Sequence, residues 1–381
     1  MRTGTLDHVV SVRAHRLGQL SKADVDFGAL TVLVGPQATG KSLLLQTLKL
    51  GIDHFAIRRT LRENGLDARN DWHAFLDLYF GRGMSGLWHD DTEAAVGEVD
   101  ISDALLRKRS GERAHRVVYI PAQRTLALPD GFPVAFRLLG EDTPFVVRQY
   151  SDQLRDALVN GQFDKEGRLF PNTGRLTSKL RDSLDRAVFH GAELLFDREQ
   201  TRQDLRLAVD GHDLPMMAWT AGQREVVPLL LATYPLIKAG ATSKDAGVDW
   251  VVIEEPEMGL HPKAILAVMA LVIELVGRGY RVAISTHHPL VLDVLWTMDH
   301  VRGNSAATGQ LAARLSVRKE RLIEALDVES RVYALDYAGD VVTSTEISSL
   351  DPGSDVDRER DWGGLTGFSA SLLDIVTAAN A

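Results

Sequence analysis

The chain of 381 residues contains no cysteine, which excludes a disulfide scaffold and any thiolate metal site and fits a reducing compartment. It has no excess of positive charge. Against 43 Lys and Arg stand 52 Asp and Glu, a net charge of −9, which argues against a dedicated basic nucleic-acid binder but leaves room for a local basic groove or a partner. The N-terminal stretch MRTGTLDHVVSVRAH lacks the apolar core of a signal peptide. The greasiest run, AILAVMALVIELVG from Ala264 to Gly277, falls short of the ~20 residues of a membrane span and carries Glu274. It reads as a helix buried on most sides. There is no internal repeat, no low-complexity tract and no heptad run long enough for a coiled coil. These absences predict a soluble, cytoplasmic protein with no membrane partner. At roughly 150 residues per domain, the length allows two or three units or one elaborated domain.

What is present is local and chemically specific. ALTVLVG reads as a strand ending at Gly35, and Gly35-Pro36-Gln37-Ala38-Thr39-Gly40-Lys41-Ser42 follows the pattern G-x-x-x-x-G-K-[ST]. Leu44, Leu48, Ile52 and Phe55 then recur at helical spacing to about Arg59. A strand, a glycine-permitted turn and a helix start form an anion nest at the positive end of a helix. Lys41 would reach the terminal phosphates of a nucleotide and Ser42 would ligate Mg2+.

Val251 to Ile253 make an apolar strand that ends in Glu254 and Glu255. Neighbouring strand residues point to opposite faces, so the two carboxylates are assigned different roles. Glu254 is placed on the metal side, and Glu255 as the base that polarises an attacking water. A further strand ends in AISTHHP, where His287 can hydrogen-bond a terminal phosphate or that water; His288 is read as structural. Thr220-Ala221-Gly222-Gln223 opens another helix, with a hydroxyl and free N–H groups at its start.

These motifs in this order resemble the ABC-type ATPases: phosphate loop, Q-loop glutamine, signature, paired carboxylates, switch histidine. YIPAQR, TAGQRE, EEPEMGLHP and STHHP are similar to the soluble SMC and OLD-like branch, the OLD-like AAA-type ATP-binding proteins. The resemblance implies ATP and Mg2+ as ligands. It assigns Gln123 to the metal and the lytic water, alongside Ser42 and Glu254 as metal residues. It places Thr220, Gly222 and Gln223 on the γ-phosphate of ATP held by a second copy, and Gly259-Leu260-His261 in the D-loop. Gln37, Glu254, Trp219, Thr220 and His261 depart from the commoner residues. For stacking on adenine, the candidates are His15 and Arg16.

The expected fold is α/β, of the ABC-ATPase P-loop type, with a mixed sheet, flanking helices and a helical insertion. Residues 1–60, 116–129 and 190–310 form its core. Residues 61–115 are expected as a helical, aromatic insertion carrying Trp72, Phe75, Tyr79, Phe80 and Trp88, with a polar loop or helix end from Asp91 and a basic stretch from Leu106 to Arg113. Residues 130–189 are expected as a helical subdomain, and 311–381 as a helix–hairpin–helix extension packed on the core. The function so implied is ATP hydrolysis by a homodimer that closes around ATP, driving or gating a DNA-associated process in repair or anti-phage defence. Asp355-Val356-Asp357 is read as a solvated loop rather than a nuclease metal site, so a separate effector protein is expected. The alternatives are the nucleotide-binding subunit of a membrane transporter and a small-molecule kinase.

Overall fold

VSVRAHRL and LSKADVDF alternate buried and exposed positions with the period of two that a half-covered strand requires, and LTVLV is buried throughout. The structure, a computed structural model, describes residues 9–66, 68, 71–106, 114–160, 167–197, 203–237, 243–245 and 247–379. The basic stretch 107–113 lies outside them. In chain order the strands are β1 (Val10–Leu17), β2 (Leu20–Phe27), β3 (Leu30–Val34), β4 (Trp88–Val96), β5 (Val99–Asp100), β6 (Val117–Ile120), β7 (Arg168–Phe170), β8 (Glu193–Asp197), β9 (Asp204–Val209), β10 (His212–Pro215), β11 (Trp250–Glu254), β12 (Arg281–Thr286), β13 (Ser330–Ala338) and β14 (Val341–Glu346). The helices are α1 (Lys41–Glu63), α2 (Trp72–Phe80), α3 (Ile101–Leu106), α4 (Phe145–Asn160), α5 (Ser178–Leu184), α6 (Ala221–Thr233), α7 (Pro262–Gly277), α8 (Pro289–Val301), α9 (Ser305–Arg314), α10 (Lys319–Leu326), α11 (Asp357–Arg360) and α12 (Gly367–Ala379).

The main sheet runs β5-β4-β1-β2-β14-β13-β3-β12-β11-β6, and a smaller antiparallel sheet runs β10-β9-β8-β7. Strands β13, β3, β12, β11 and β6 are mutually parallel. The expected class, a mixed sheet flanked by helices, is therefore what the protein has. Register places Val34 opposite Thr286 and Ala334, and Glu254 opposite Ser285. The phosphate loop, the paired carboxylates and His287 consequently leave the sheet at one edge. On one face Val32 and Val34 pack with α6, α7 and α8; on the other Leu33 packs with Leu44 and Leu48 of α1. The apolar helix α7 is buried over nearly its whole length, as its composition predicts. Among the described residues no helix is long and apolar enough to cross a membrane.

Three expected segments take a different form. Residues 61–115 do not form a separate helical insertion. Their polar part contributes β4 and β5, which extend the main sheet beyond β1. An edge position tolerates the exposed Asp and Glu of WHDDTEAAV, which is why that strand resembles a loop in sequence. Residues 130–189 hold α4 and α5 but also β7, which pairs with β8. The hairpin within 311–381 is not laid on the core but built into it: β13 lies beside β3 and β14 beside β2. The tail helix α12 does not pack down either. Its Leu372, Leu373, Ile375 and Val376 are exposed.

The free edge of β6 is closed by an ion pair on α1. Lys49 and Asp53, both buried, meet at 2.9 Å. Lys49 Nζ donates to the Val117 carbonyl at 3.0 Å, while Asp53 accepts from the N–H groups of Arg116 at 2.8 Å and Val117 at 3.2 Å. Burial would raise the Asp53 pKa, but Lys49 and His115 overcome it and lower the carboxyl from 3.8 to about 2. A depressed carboxyl stabilises the fold above its ordinary value and loses that contribution as pH falls through the folded value. Asp53 is thus expected to contribute roughly 2 kcal/mol above pH ~4, vanishing toward pH 2. Lys49→Met, which removes the buried ammonium facing Asp53, should cost about 3–5 kcal/mol in urea denaturation at neutral pH. A cost below about 1 kcal/mol would show that the pair does not hold this edge.

Candidate functional site

The phosphate loop has its shape because side chains are missing at two points. Gly35 has φ 140°, and a Cβ there would lie 2.0 Å from the Leu335 carbonyl oxygen of β13. Gly40 has φ 84°, and its Cβ would lie 2.9 Å from Leu20 Cδ2. Ala38 also sits at positive φ, 60°, without being glycine. Its carbonyl is held by Gln19 Nε2 at 2.9 Å and by the Tyr337 hydroxyl at 3.1 Å, so two distant hairpins keep the strained turn in place. Thr39 Oγ1 donates to the Pro36 carbonyl at 2.9 Å. Gly40 offers α1 no side-chain cap, which leaves the N–H groups of the first turn for an anion. Lys41 folds back on its own loop, donating to the carbonyls of Gly35 at 2.8 Å and Pro36 at 2.6 Å. Burial holds its ammonium below the ordinary lysine range against the upward pull of Glu255 and Glu257.

At the end of β11 the two adjacent carboxylates have different surroundings. Glu254 is 1% exposed and accepts from the Tyr119 hydroxyl at 2.6 Å and from the Ala122 N–H at 2.9 Å. Burial raises its pKa although Tyr119, Ala122 and Ser42 hydrogen-bond the charged form, and the neighbouring Glu255 charge adds to the rise. Gln123, exposed, follows directly on Ala122, so the Q-loop candidate stands beside Glu254. Glu255 has φ 42°. Its N–H donates to the Ser285 carbonyl at 2.9 Å, and its own carbonyl accepts from Arg124 Nη2 at 3.1 Å. Arg124 is fully buried and also donates to the carbonyls of Glu254 at 3.0 Å and Glu225 at 3.1 Å. Glu257, buried, accepts from the Thr286 hydroxyl at 2.7 Å and from the His287 N–H at 2.9 Å. His287 Nδ1 lies 3.6 Å from an oxygen of Glu255 and 3.6 Å from an oxygen of Glu257.

The corner at 220–223 is built separately. Thr220 Oγ1 accepts from the Gln223 N–H at 3.3 Å and the Gln223 side chain accepts from the Thr220 N–H at 3.0 Å, a reciprocal capping box on α6. Gln223 also donates to the Val188 carbonyl at 3.2 Å, so this candidate's amide is engaged within its own fold. Gly222 packs against the turn at Gly259 and Leu260, with a Cβ position 3.6 Å from the Gly259 carbonyl. Thr220 is exposed. His261 and His288 each use a ring nitrogen to cap a following helix, α7 and α8.

A depression of about 270 Å³ lies over the loop, lined by Gln19, residues 37–43, Gln46, Phe80, Met84, Leu87 and Glu255. Residues 220–223 are not part of its wall. Neither are His15 and Arg16, the adenine candidates. His15 bonds Asp24 at 2.7 Å and Arg16 pairs with Asp91, beside a different hollow. The apolar wall instead comes from Phe80, which the sequence reading places in an aromatic core, and from Met84 and Leu87, which it does not single out. That core exists as well: Trp72 meets Trp88 edge-on at 4.9 Å, and Tyr79 stacks on Phe145 at 5.7 Å. Arg124, Glu257, Tyr119, Gln19 and Tyr337 were not singled out by sequence. For Glu257 the repeat of acids in EEPE was a usable signal; the others had none.

Among the described residues no group of three or more His, Asp or Glu is arranged to hold a metal ion alone. A hydroxyl and one buried carboxylate, Ser42 and Glu254, suit Mg2+, which prefers few protein oxygens and takes the rest from water and phosphate. In the tail, Asp357 pairs with Arg360.

Residues 127–293 match a protein-family model described as "AAA domain, putative AbiEii toxin, Type IV TA system". The match covers less than half of the chain, taking in the Thr220 corner, Glu254, Glu255 and His287 but not the phosphate loop. No curated protein matches the chain. Among solved structures it is similar to an SMC head bound to the C-winged helix domain of ScpA, at 10% identity and TM-score 0.42, over 89% of this chain and 97% of that one. It is likewise similar to the SMC head domain from Thermotoga maritima, at 10% identity and TM-score 0.38, over 89% of this chain and 98% of that one.

The raised Glu254 pKa has a stability consequence. A folded-state carboxyl above its ordinary 4.5 favours the fold at low pH and disfavours it as pH rises through the shifted value. In Mg2+-free, nucleotide-free buffer Glu254→Gln should therefore melt above the parent protein at pH 8, with the gap closing toward pH 5. A variant that melts below the parent at pH 8 would contradict the assignment of burial as the dominant effect.

Proposed function

We propose that this chain is a soluble ABC-type ATPase of the OLD-like kind, which binds ATP with Mg2+ and hydrolyses it between two copies of itself. The observation that carries the reading is the division of the site. Lys41, Ser42, Glu254, Glu255 and His287 leave one sheet edge together, while the corner at exposed Thr220 stands outside the depression that Lys41, Ser42 and Glu255 line. A corner at a helix start, whose Thr220 hydroxyl accepts from the Gln223 N–H but still has its own O–H to donate, suits the far end of a triphosphate held by a second, head-to-tail copy.

In this reading the triphosphate displaces the loop carbonyls from Lys41 and takes the uncapped N–H groups of α1. The base rests against Phe80, Met84 and Leu87. Ser42 and Glu254 would hold Mg2+, which would supply positive charge to offset that of the phosphates. Glu255 polarises a water in line with the γ-phosphorus and accepts its proton as the bond to the leaving ADP oxygen breaks. Gln123 and His287 orient that water and the terminal phosphate. The protein's contribution is positioning and charge, as phosphoryl transfer requires. Loss of the γ-phosphate removes the bridge between copies, so hydrolysis opens the dimer. We assign the cycle to a DNA-associated process, repair or anti-phage defence, acting through a separate effector. The toxin–antitoxin description of the matching family model supports the defence side of that assignment.

Glu255→Gln should cut steady-state ATP turnover by about 10²-fold or more and elute as a dimer in ATP and a monomer without it. Turnover at the parent rate would remove Glu255 as the base. ATP-independent elution, with turnover lost, would remove the ATP-closed dimer. Repeating the sizing with DNA and with pulled-down partners tests the process.

A further inference from the structure

Glu257 has a connection that the catalytic scheme leaves unused. Its Oε1 is saturated by the Thr286 hydroxyl and the His287 N–H, whereas its Oε2 is buried with no hydrogen-bond partner. The side chain is 2% exposed, and a carboxylate oxygen left without a donor in that setting is unfavourable. The imidazole of His287, 41% exposed, stands beside this carboxylate: its Nδ1 lies 3.6 Å from Glu257 Oε1 and equally 3.6 Å from Glu255 Oε1. One ring proton thus faces two carboxylates with opposite consequences. A bond to Glu255 would occupy the base. A bond to Glu257 would leave Glu255 free and turn Nε2 outward.

We propose that Glu257 is a positioning residue that draws the Nδ1 proton of His287 away from Glu255, fixing the ring's tautomer so that Nε2 faces the reacting phosphate. The ring nitrogen that carries the proton is set by the partner of that nitrogen, a general property of functional histidines. Glu257 is suited to the task because it is anchored on both sides. It follows the strained residue Glu255 in the turn after β11, and it binds the end of β12, so the two carboxylates and the ring keep a fixed spacing. The inference rests on the ATPase reading for its purpose, but the pairing itself does not need nucleotide.

The test uses the full chain with 15N-labelled histidine, without nucleotide, at about pH 8, where ordinary imidazole is neutral. Two-bond 15N–1H correlation should report His287 protonated at Nδ1 in the parent and in Glu255→Gln, and shifted to Nε2 in Glu257→Gln. The glutamine keeps an oxygen for Thr286 and the His287 N–H, so a purely structural Glu257 would leave the tautomer unchanged. In turnover assays Glu257→Gln should lower kcat about 10- to 100-fold with KM for ATP within about twofold. An unchanged tautomer in Glu257→Gln overturns the proposal. A parent protein that shows the tautomer shift on substitution but hydrolyses no ATP supports the pairing and defeats only the ATPase reading.

Discussion

One buried guanidinium holds the candidate site together. Arg124 leaves β6 just beyond the sheet and spends its donors on three backbone carbonyls: Glu254 and Glu255 at the end of β11, and Glu225 on α6. Its Nε also lies 3.0 Å from a Glu225 carboxylate oxygen. A cation so fully removed from water persists only if its donors are satisfied. Here the acceptors are the backbone whose geometry matters most. The Arg124 bond helps to hold Glu255 at φ 42°, a conformation that costs on the order of 1–3 kcal/mol outside glycine. The same side chain fixes α6, and with it the Thr220 corner, relative to the carboxylates. The part of the molecule proposed to perform hydrolysis and the part proposed to meet a second copy are therefore one rigid piece.

Around that piece the site gathers unfavourable electrostatics. Glu254 is buried and resists ionisation, Lys41 is buried and turned onto its own loop, and Glu257 keeps an orphaned oxygen. A polyanion carrying a divalent cation would supply an acceptor to Lys41 and positive charge to Glu254. Strain at Ala38 is maintained by Gln19 and Tyr337 from outside the loop.

The sequence was most legible where chemistry is local. The phosphate loop, the paired glutamates and the histidine after β12 are each a short run of residue types with one physical use. The Thr220 corner could be read as a capped helix start. The sheet order could not. Strand β13 joins β3 across roughly 300 residues, and its alternation is indistinguishable from that of a surface hairpin until its neighbours are known. Strand β4 hides behind the acids that an edge position permits. Arg124 and Tyr119 carry no local pattern, since their importance lies in what the fold brings to them. His15 and Arg16, an aromatic ring and a basic group suited to stacking on adenine, stand beside a different hollow, whereas the wall of the depression comes from Phe80, Met84 and Leu87.

The central claim is that the corner at Thr220 completes the nucleotide site of another copy. The absence of cysteine allows a direct measurement: mix a Gln37→Cys protein with a Thr220→Cys protein, each in the Glu255→Gln background, and add a short bis-maleimide with and without ATP and Mg2+. The account predicts a crosslinked heterodimer that forms with ATP and Mg2+ and is weak or missing without them. A crosslink yield that does not respond to nucleotide, or no crosslink between copies while nucleotide is bound, would contradict it.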